Sequence, residues 1–305
     1  MASGILIIDK PAGWTSMDVC AKLRGVFHEK RVGHGGTLDP MATGVLPIFI
    51  GRATRAVEFA VNSDKEYVAG LKLGVVTNTQ DTSGEILEEH PVQVSREQLE
   101  TVLEQFRGDI LQIPPMYSAI KINGKKLYEL ARKGREVERP ARAVTIKSLE
   151  IEEQQGEDLY IIRVRCTKGT YIRTLCHDIG QALGCGGCMA SLRRTMAAGF
   201  TLEMDYLDGA YTLDEVLAEE HPEKLLLPVD CVFRDLPAVV ISGRSAVLAR
   251  NGAPFPIKAP QGCMYTWSDG GLCRVYDASG QRKKFLLVGR FAGKEIRTVK
   301  SFFEV

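Results

Sequence analysis

No apolar run in the 305-residue chain approaches the roughly 18 residues a membrane span requires. The opening Met-Ala-Ser-Gly-Ile-Leu-Ile-Ile-Asp-Lys has too short an apolar stretch and no basic lead for an export signal. Eight cysteines are scattered without framework spacing, which argues against a disulfide scaffold and fits reduced thiols in a cytoplasm. Gly-x4-Gly-Lys-[Ser/Thr] is missing, and with it the phosphate cradle of P-loop nucleotidases. Gly33-His-Gly35 is followed by Leu38 where a dinucleotide fingerprint needs its third glycine. Neither His-Glu-x-x-His nor Gly-x-Ser-x-Gly occurs. Cys185-Gly-Gly-Cys188, with Cys176 and His177 upstream, offers one pair where a structural zinc site draws on two, and it reads as buried or free thiols. Neither cofactor nor metal is expected, so any chemistry runs on side chains alone.

What the chain does contain is ordinary in bulk and uneven in detail. Hydrophobic residues make up 45% and charged residues 25%, as in globular proteins, and the length suggests about two domains. Net charge is +1, yet Lys121 to Lys147 and Asp235 to Val305 each carry +6, which leaves −11 for the rest. Two basic zones on an acidic body fit either solvated faces or contact with a polyanion. Residues Gly33 to Pro47 hold a single acid, Asp39, in a glycine-rich turn fixed by Pro40. Glycines there permit a ligand to approach the main chain closely, so the turn can present Asp39 at the lip of a cleft, with His34 on the same loop. Read alone, the loop is equally a tight turn ending in an exposed aspartate.

Ile5–Ile8, Val45–Ile50, Tyr67–Val76, Val144–Ile151 and Leu159–Cys166 read as strands. Ser16 reads as the cap of a helix to Phe27, with Met17, Cys20, Leu23 and Phe27 on its inner face. Ser95 with Gln98 makes a capping box for a helix through Phe106, and Thr170 to Leu183 reads as a helix closed by Gly184. Asn123-Gly124 signals a hairpin, followed by a basic arm from Lys133 to Arg142. From about Pro228 the pattern turns to strands, with one short helix over Gly243–Arg250 and turns at Ser268-Asp269-Gly270-Gly271 and Ala278-Ser279-Gly280.

Six stretches, in this order, carry a resemblance: Asp9-Lys10-Pro11-x-Gly13-x-Thr15-Ser16, the Asp39 loop, Asp64-Lys65-x-Tyr67, Pro114-Pro115-Met116-Tyr117-Ser118-Ala119-Ile120-Lys121, Lys168-Gly-Thr-Tyr171-Ile-Arg173 and Leu192-Arg193-Arg194-Thr195. Along essentially its whole length the chain resembles the bacterial tRNA pseudouridine-55 synthases of the TruB type. The resemblance implies an α+β pseudouridine synthase fold: a mixed, mostly antiparallel sheet flanked by helices, an RNA-gripping insertion and a small PUA-like β-barrel at the C-terminus. It places the catalytic domain at 1–232, its insertion at about 113–145 and the second domain at 233–305. It implies isomerisation of uridine in the T loop of tRNA, with the base flipped out, cut from ribose C1′, turned and rejoined through C5. That rearrangement is redox-neutral and needs no cofactor.

Asp39 matches the nucleophile, attacking C1′ or C6. Tyr67 matches a tyrosine that stacks on the base and could help remove the C5 proton, and Arg173 an arginine that keeps the nucleophile ionised. Tyr171 and Leu192 match walls of the base pocket, Lys10 a lysine near it, and His34 the residue that fills the space the base vacates. tRNA is the implied partner, met by the T arm and on the acceptor side through the C-terminal module and its Arg282-Lys283-Lys284 run. A cytoplasmic monomer without an obligate protein partner is expected. A non-catalytic tRNA-binding chaperone and a ribosyl hydrolase stand as alternatives. Hydrolases pair two carboxylates, and no second acid beside Asp39 is evident in the sequence.

Overall fold

The structure is a computed structural model that describes residues 2–118, 120–122, 124–203, 209–257 and 269–303. Ala119, Asn123 and Ser268, part of the motif and turn signals above, lie outside them. The chain runs β1 (Gly4–Lys10), α1 (Ser16–Phe27), β2 (Val32–His34), β3 (Thr43–Ile50), α2 (Val57–Val61), β4 (Lys65–Leu73), β5 (Val75–Thr77), β6 (Ile86–Glu89), α3 (Arg96–Glu104) and β7 (Gly108–Gln112). It continues through β8 (Lys121–Ile122), β9 (Lys125–Lys126), α4 (Leu127–Ala131), β10 (Arg142–Gln154), β11 (Leu159–Cys166), α5 (Ile172–Ala182), β12 (Gly187–Ala197), β13 (Phe200–Thr201) and α6 (Leu213–Ala218). Beyond these come β14 (Ala238–Ile241), α7 (Gly243–Arg250), β15 (Phe255–Pro256), β16 (Leu272–Asp277), β17 (Lys284–Ala292) and β18 (Glu295–Ser301). No described helix is long and apolar enough to cross a membrane.

One nine-stranded sheet is ordered β1-β3-β12-β4-β11-β10-β7, with β2 beside β3 and β13 beside β12. Its described pairings are antiparallel apart from β3 with β12. The strand β1 is buried on both faces, which its unbroken Ile-Leu-Ile-Ile run requires. Leu6 and Ile8 pack with Val19 and Leu23 of α1, while Ile5 and Ile7 face Phe49, Phe233 and Phe302. On the α5 side, Gly180 lies so close to β12 that an added Cβ would stand 2.2 Å from the Gly187 nitrogen. The second sheet, β14-β16-β17-β18-β15, curls into a half-barrel whose described order is open at both ends.

Several local readings shift. Thr15, not Ser16, caps α1, exchanging hydrogen bonds with Asp18 in a full capping box. Met17 is exposed, and Val19 takes the inner position expected for it. Gly74, at φ +80°, breaks the expected 67–76 strand into β4 and β5. Expected by none of the patterns above, β12 lies inside the sheet between β3 and β4, and α6 opens on a capping box of Thr212 with Glu215.

The parallel contact of β3 with β12 admits only glycine at position 44. Gly44 has φ +99°, and a Cβ there would lie 2.2 Å from the Arg194 carbonyl oxygen and 2.8 Å from its nitrogen. Both clashes are with backbone, so no side chain can relieve them. Gly44→Ala is therefore expected to destabilise the protein by more than about 3 kcal/mol, read as a fall in the chemical-denaturation midpoint.

Candidate active site

The loop between β2 and β3 carries Asp39, and its backbone is fastened from several sides. The Leu38 N–H donates to the Ser16 hydroxyl at 2.9 Å, a bond available because Thr15 has taken over the capping. Gly13 N–H donates to the Pro40 carbonyl at 2.8 Å. From beneath, the buried guanidinium of Arg194 donates to the Gly36 carbonyl at 3.1 Å and the Val45 carbonyl at 2.8 Å. Lys10, expected near the base pocket, is wholly buried beneath this loop. Its ammonium donates to the carbonyls of Pro11, Trp14 and Pro40 at 2.8, 2.7 and 3.3 Å, so it ties the turn after β1 to the loop. Burial holds its pKa below the usual lysine value, and the Asp39 charge opposes that shift.

With its backbone pinned, the loop presents the Asp39 carboxylate at the surface, 40% exposed, against a buried arginine. Arg173 comes from the first turn of α5 and is 7% exposed. Its Nη2 lies 3.1 Å from Asp39 Oδ2 and donates to the Tyr117 carbonyl at 2.8 Å. Its Nη1 donates to the Thr79 carbonyl at 3.1 Å and faces Asp81 Oδ2 at 3.4 Å. The rigid fork therefore spans two carboxylates and two carbonyls at once. Asp81 is the second acid that the sequence hid. It is buried, and its carboxylate also accepts from the Thr79 hydroxyl at 2.8 Å and the Ser83 N–H at 3.0 Å.

Around this pair the walls are apolar. Leu38, Ala42, Tyr67 and Ile172 belong to one buried cluster, with Met41 and Leu192 packed against it. Tyr171 caps the N-terminus of α5 in an extended conformation (φ −102°, ψ 110°), two residues before Arg173. Tyr67 of β4 is the register partner of Arg194 in β12, so the guanidinium charge acts on its phenol. Burial pushes the Tyr67 phenol above its usual pKa, with Arg194 pulling weakly the other way, so it is a protonated phenol at neutral pH. His34, at the end of β2, has a buried Nδ1 with no described partner. Burial and then Arg194 hold its pKa down, so the ring is neutral. The structure thus brings Asp39, Arg173, Tyr67, Leu192, Tyr171 and His34 around one loop, with Lys10 beneath it. The described cysteines are free thiols, and burial raises those of Cys176 and Cys188.

Lys65 adds a titration with a readable sign. Buried next to Arg194, it donates to the Val61 carbonyl at 2.6 Å and to that of Ser63. Desolvation lowers its pKa from 10.5 to about 8. Between those values the unfolded state binds more protons than the folded one. The cost of the buried charge is full below pH 8 and is relieved as pH rises to 10.5. Raised thiols such as Cys166, at about 11, act oppositely above pH 9, so the difference from a Lys65→Met variant isolates the effect. Wild-type stability minus that of Lys65→Met should rise by about 2–3 kcal/mol across this window in urea titrations.

Fold and site together define a pseudouridine synthase. Over 98% of this chain and 85% of its counterpart, the fold matches a chain of a Cbf5-Nop10-Gar1 complex with a TM-score of 0.69 at 26% identity. An H/ACA RNP bound to a substrate RNA containing 2′-deoxyuridine matches equally, at 0.69 and 26%, over 99% and 85% of the two chains. Residues 24–172 match the N-terminal domain of the TruB family pseudouridylate synthases, and 173–234 the tRNA pseudouridylate synthase B C-terminal domain. The tRNA pseudouridine synthase B of Stutzerimonas stutzeri is 45% identical over 92% of this chain and 89% of its own. That of Streptococcus thermophilus is 45% identical over 92% and 97%, and that of Alkaliphilus oremlandii 48% over 82% of each. The chain belongs to the TruB family of pseudouridylate synthases.

Proposed function

We propose that the protein isomerises a single uridine, position 55 in the T loop of tRNA, to pseudouridine, with Asp39 as nucleophile. The Asp39–Arg173 contact carries this reading. A carboxylate clasped by a buried guanidinium yet open to solvent is both aimed and accessible. In the reaction the C1′–N1 bond breaks, the base turns, and a C1′–C5 bond forms. C5 loses its proton and N1 gains one, so atoms and charge balance. On this reading Tyr67, Tyr171 and Leu192 wall the everted base. Because Tyr67 is a neutral phenol, it can take up the C5 proton only by passing its own proton on, and the neighbouring Arg194 guanidinium favours the phenolate passed through. Asp81 is already engaged with Arg173 and its own turn, which speaks against a second carboxylate of the hydrolase kind.

Eversion leaves a gap in the RNA stack, and His34, neutral and with an unused ring nitrogen, is the group beside the loop to fill it. The excursion between β7 and β10 exposes Lys121, Lys125, Arg132, Lys133, Arg135 and Arg142, suited to backbone phosphates. Residues 1–232 would form the catalytic unit. Residues 233–305 would form a second RNA contact towards the acceptor side, with Arg282, Lys283 and Lys284 exposed on it. The enzyme would work as a monomer on cytoplasmic tRNA. The test is to incubate purified protein with unmodified tRNA and map pseudouridine by position. Modification confined to uridine-55 supports the reading. Release of free uracil, or refolding of misfolded tRNA without modification, contradicts it.

A further inference from the structure

Gln112 is the last residue of β7 and is 2% exposed, a polar side chain sealed inside the protein. Its amide makes two reciprocal hydrogen bonds to one backbone unit. The Tyr171 N–H donates to Gln112 Oε1 at 3.0 Å, and Gln112 Nε2 donates to the Tyr171 carbonyl at 3.2 Å. Tyr171 lies in an extended conformation just before α5, with no side-chain cap. There the amide does for the chain what a neighbouring strand would do. Two residues further on, Arg173 reaches Asp39, and its Nη2 also donates to the Tyr117 carbonyl at 2.8 Å. The segment from Gln112 to Tyr117 therefore grips the start of α5 at two points.

That segment is also the root of the basic excursion. Gln112 is the register partner of Arg142 across β7 and β10, so residues 113–141 leave and rejoin the sheet at a single rung. From this we infer that Gln112 is a positioning residue, which locks the root of the phosphate-gripping excursion to Tyr171 and thereby holds Arg173 on Asp39. The inference rests on the tRNA-isomerase reading and adds to it a mechanical link between RNA grip and the reacting carboxylate. A buried amide satisfied at both ends is costly to replace by an apolar group, because the Tyr171 N–H is left unpaired. Displacing α5 by a fraction of an ångström is enough to spoil the aim of the guanidinium.

The test compares full-length wild type, Gln112→Met and Gln112→Glu on unmodified tRNA, below their unfolding temperatures. Gln112→Met is expected to lower kcat by about 10- to 100-fold while KM and the filter-binding Kd for tRNA stay within about twofold. Gln112→Glu keeps an acceptor for the Tyr171 N–H but regains the donor only when its carboxyl is protonated. Its rate relative to wild type at the same pH should therefore climb as the assay is acidified, a response that loss of packing would not give. Wild-type kcat in Gln112→Met, or loss of tRNA affinity at unchanged kcat, overturns the inference. If Gln112→Met does not fold, a flat Gln112→Glu to wild-type ratio across pH does so. Absence of pseudouridine with the wild type itself would instead sink the functional reading on which the inference stands.

Discussion

Arg173→Lys should lower the single-turnover rate of pseudouridine formation by about 10²- to 10³-fold while the protein stays folded. The arginine fork serves four acceptors on three segments: Asp39, the Tyr117 carbonyl, the Thr79 carbonyl and Asp81. A lysine keeps the charge but concentrates it on one shorter-reaching nitrogen, which cannot face Asp39 and Asp81 together. The buried Asp81 then competes for the ammonium, because burying an unpaired carboxylate is the costlier outcome. Asp39, 40% exposed, can fall back on water and lose its aim. Arg173→Met should be worse in kind, adding about 3–5 kcal/mol of destabilisation because Asp81 stays buried without its partner. Enzyme-excess kinetics and thermal unfolding separate the two effects. A wild-type rate in Arg173→Lys would mean that charge near Asp39 suffices and that the fork has no special part.

The residues that could be read from the chain are those whose role is local. Ser95 and Gln98 cap each other three residues apart, and Gly243–Arg250 is bounded by its own stop signal, so both helices stand where the pattern puts them. The Asp39 loop announces itself because glycine and proline punctuate it. Roles that depend on distant partners stayed hidden. The strand β12 carries Arg194, whose buried guanidinium is satisfied by the carbonyls of Gly36 and Val45 from a distant part of the chain. Asp81 looks like one more polar turn residue, since its partner Arg173 lies 92 residues away. Lys10 stands at the end of β1, and that three carbonyls from two loops enclose its ammonium is visible only in the folded chain. Gln112 gives no signal at all, because an amide is neutral and its partner is a backbone unit 59 residues on. The acid proposed as nucleophile could thus be picked out by its loop, but the contacts that hold it are assembled only by tertiary structure.

Asp39→Asn changes one oxygen to nitrogen and removes the charge while keeping the size of the side chain. The loop backbone is held by Ser16, Gly13, Lys10 and Arg194, none of which touches the carboxylate, so its conformation should survive. The phosphate contacts proposed for the excursion lie elsewhere on the chain, so tRNA affinity should remain within about twofold of wild type. A neutral amide cannot form the covalent adduct, and the nearby Asp81 is already engaged with Arg173 and its own turn, so turnover should fall by at least about 10⁴-fold. The decisive measurement is pseudouridine at the target position after prolonged incubation of unmodified tRNA with an excess of the Asp39→Asn variant, binding being verified in the same mixture. Bound but unmodified tRNA is the predicted result. Pseudouridine formed at a rate near that of the wild type would contradict the account, because the bond exchange would then proceed without the carboxylate that Arg173 clasps.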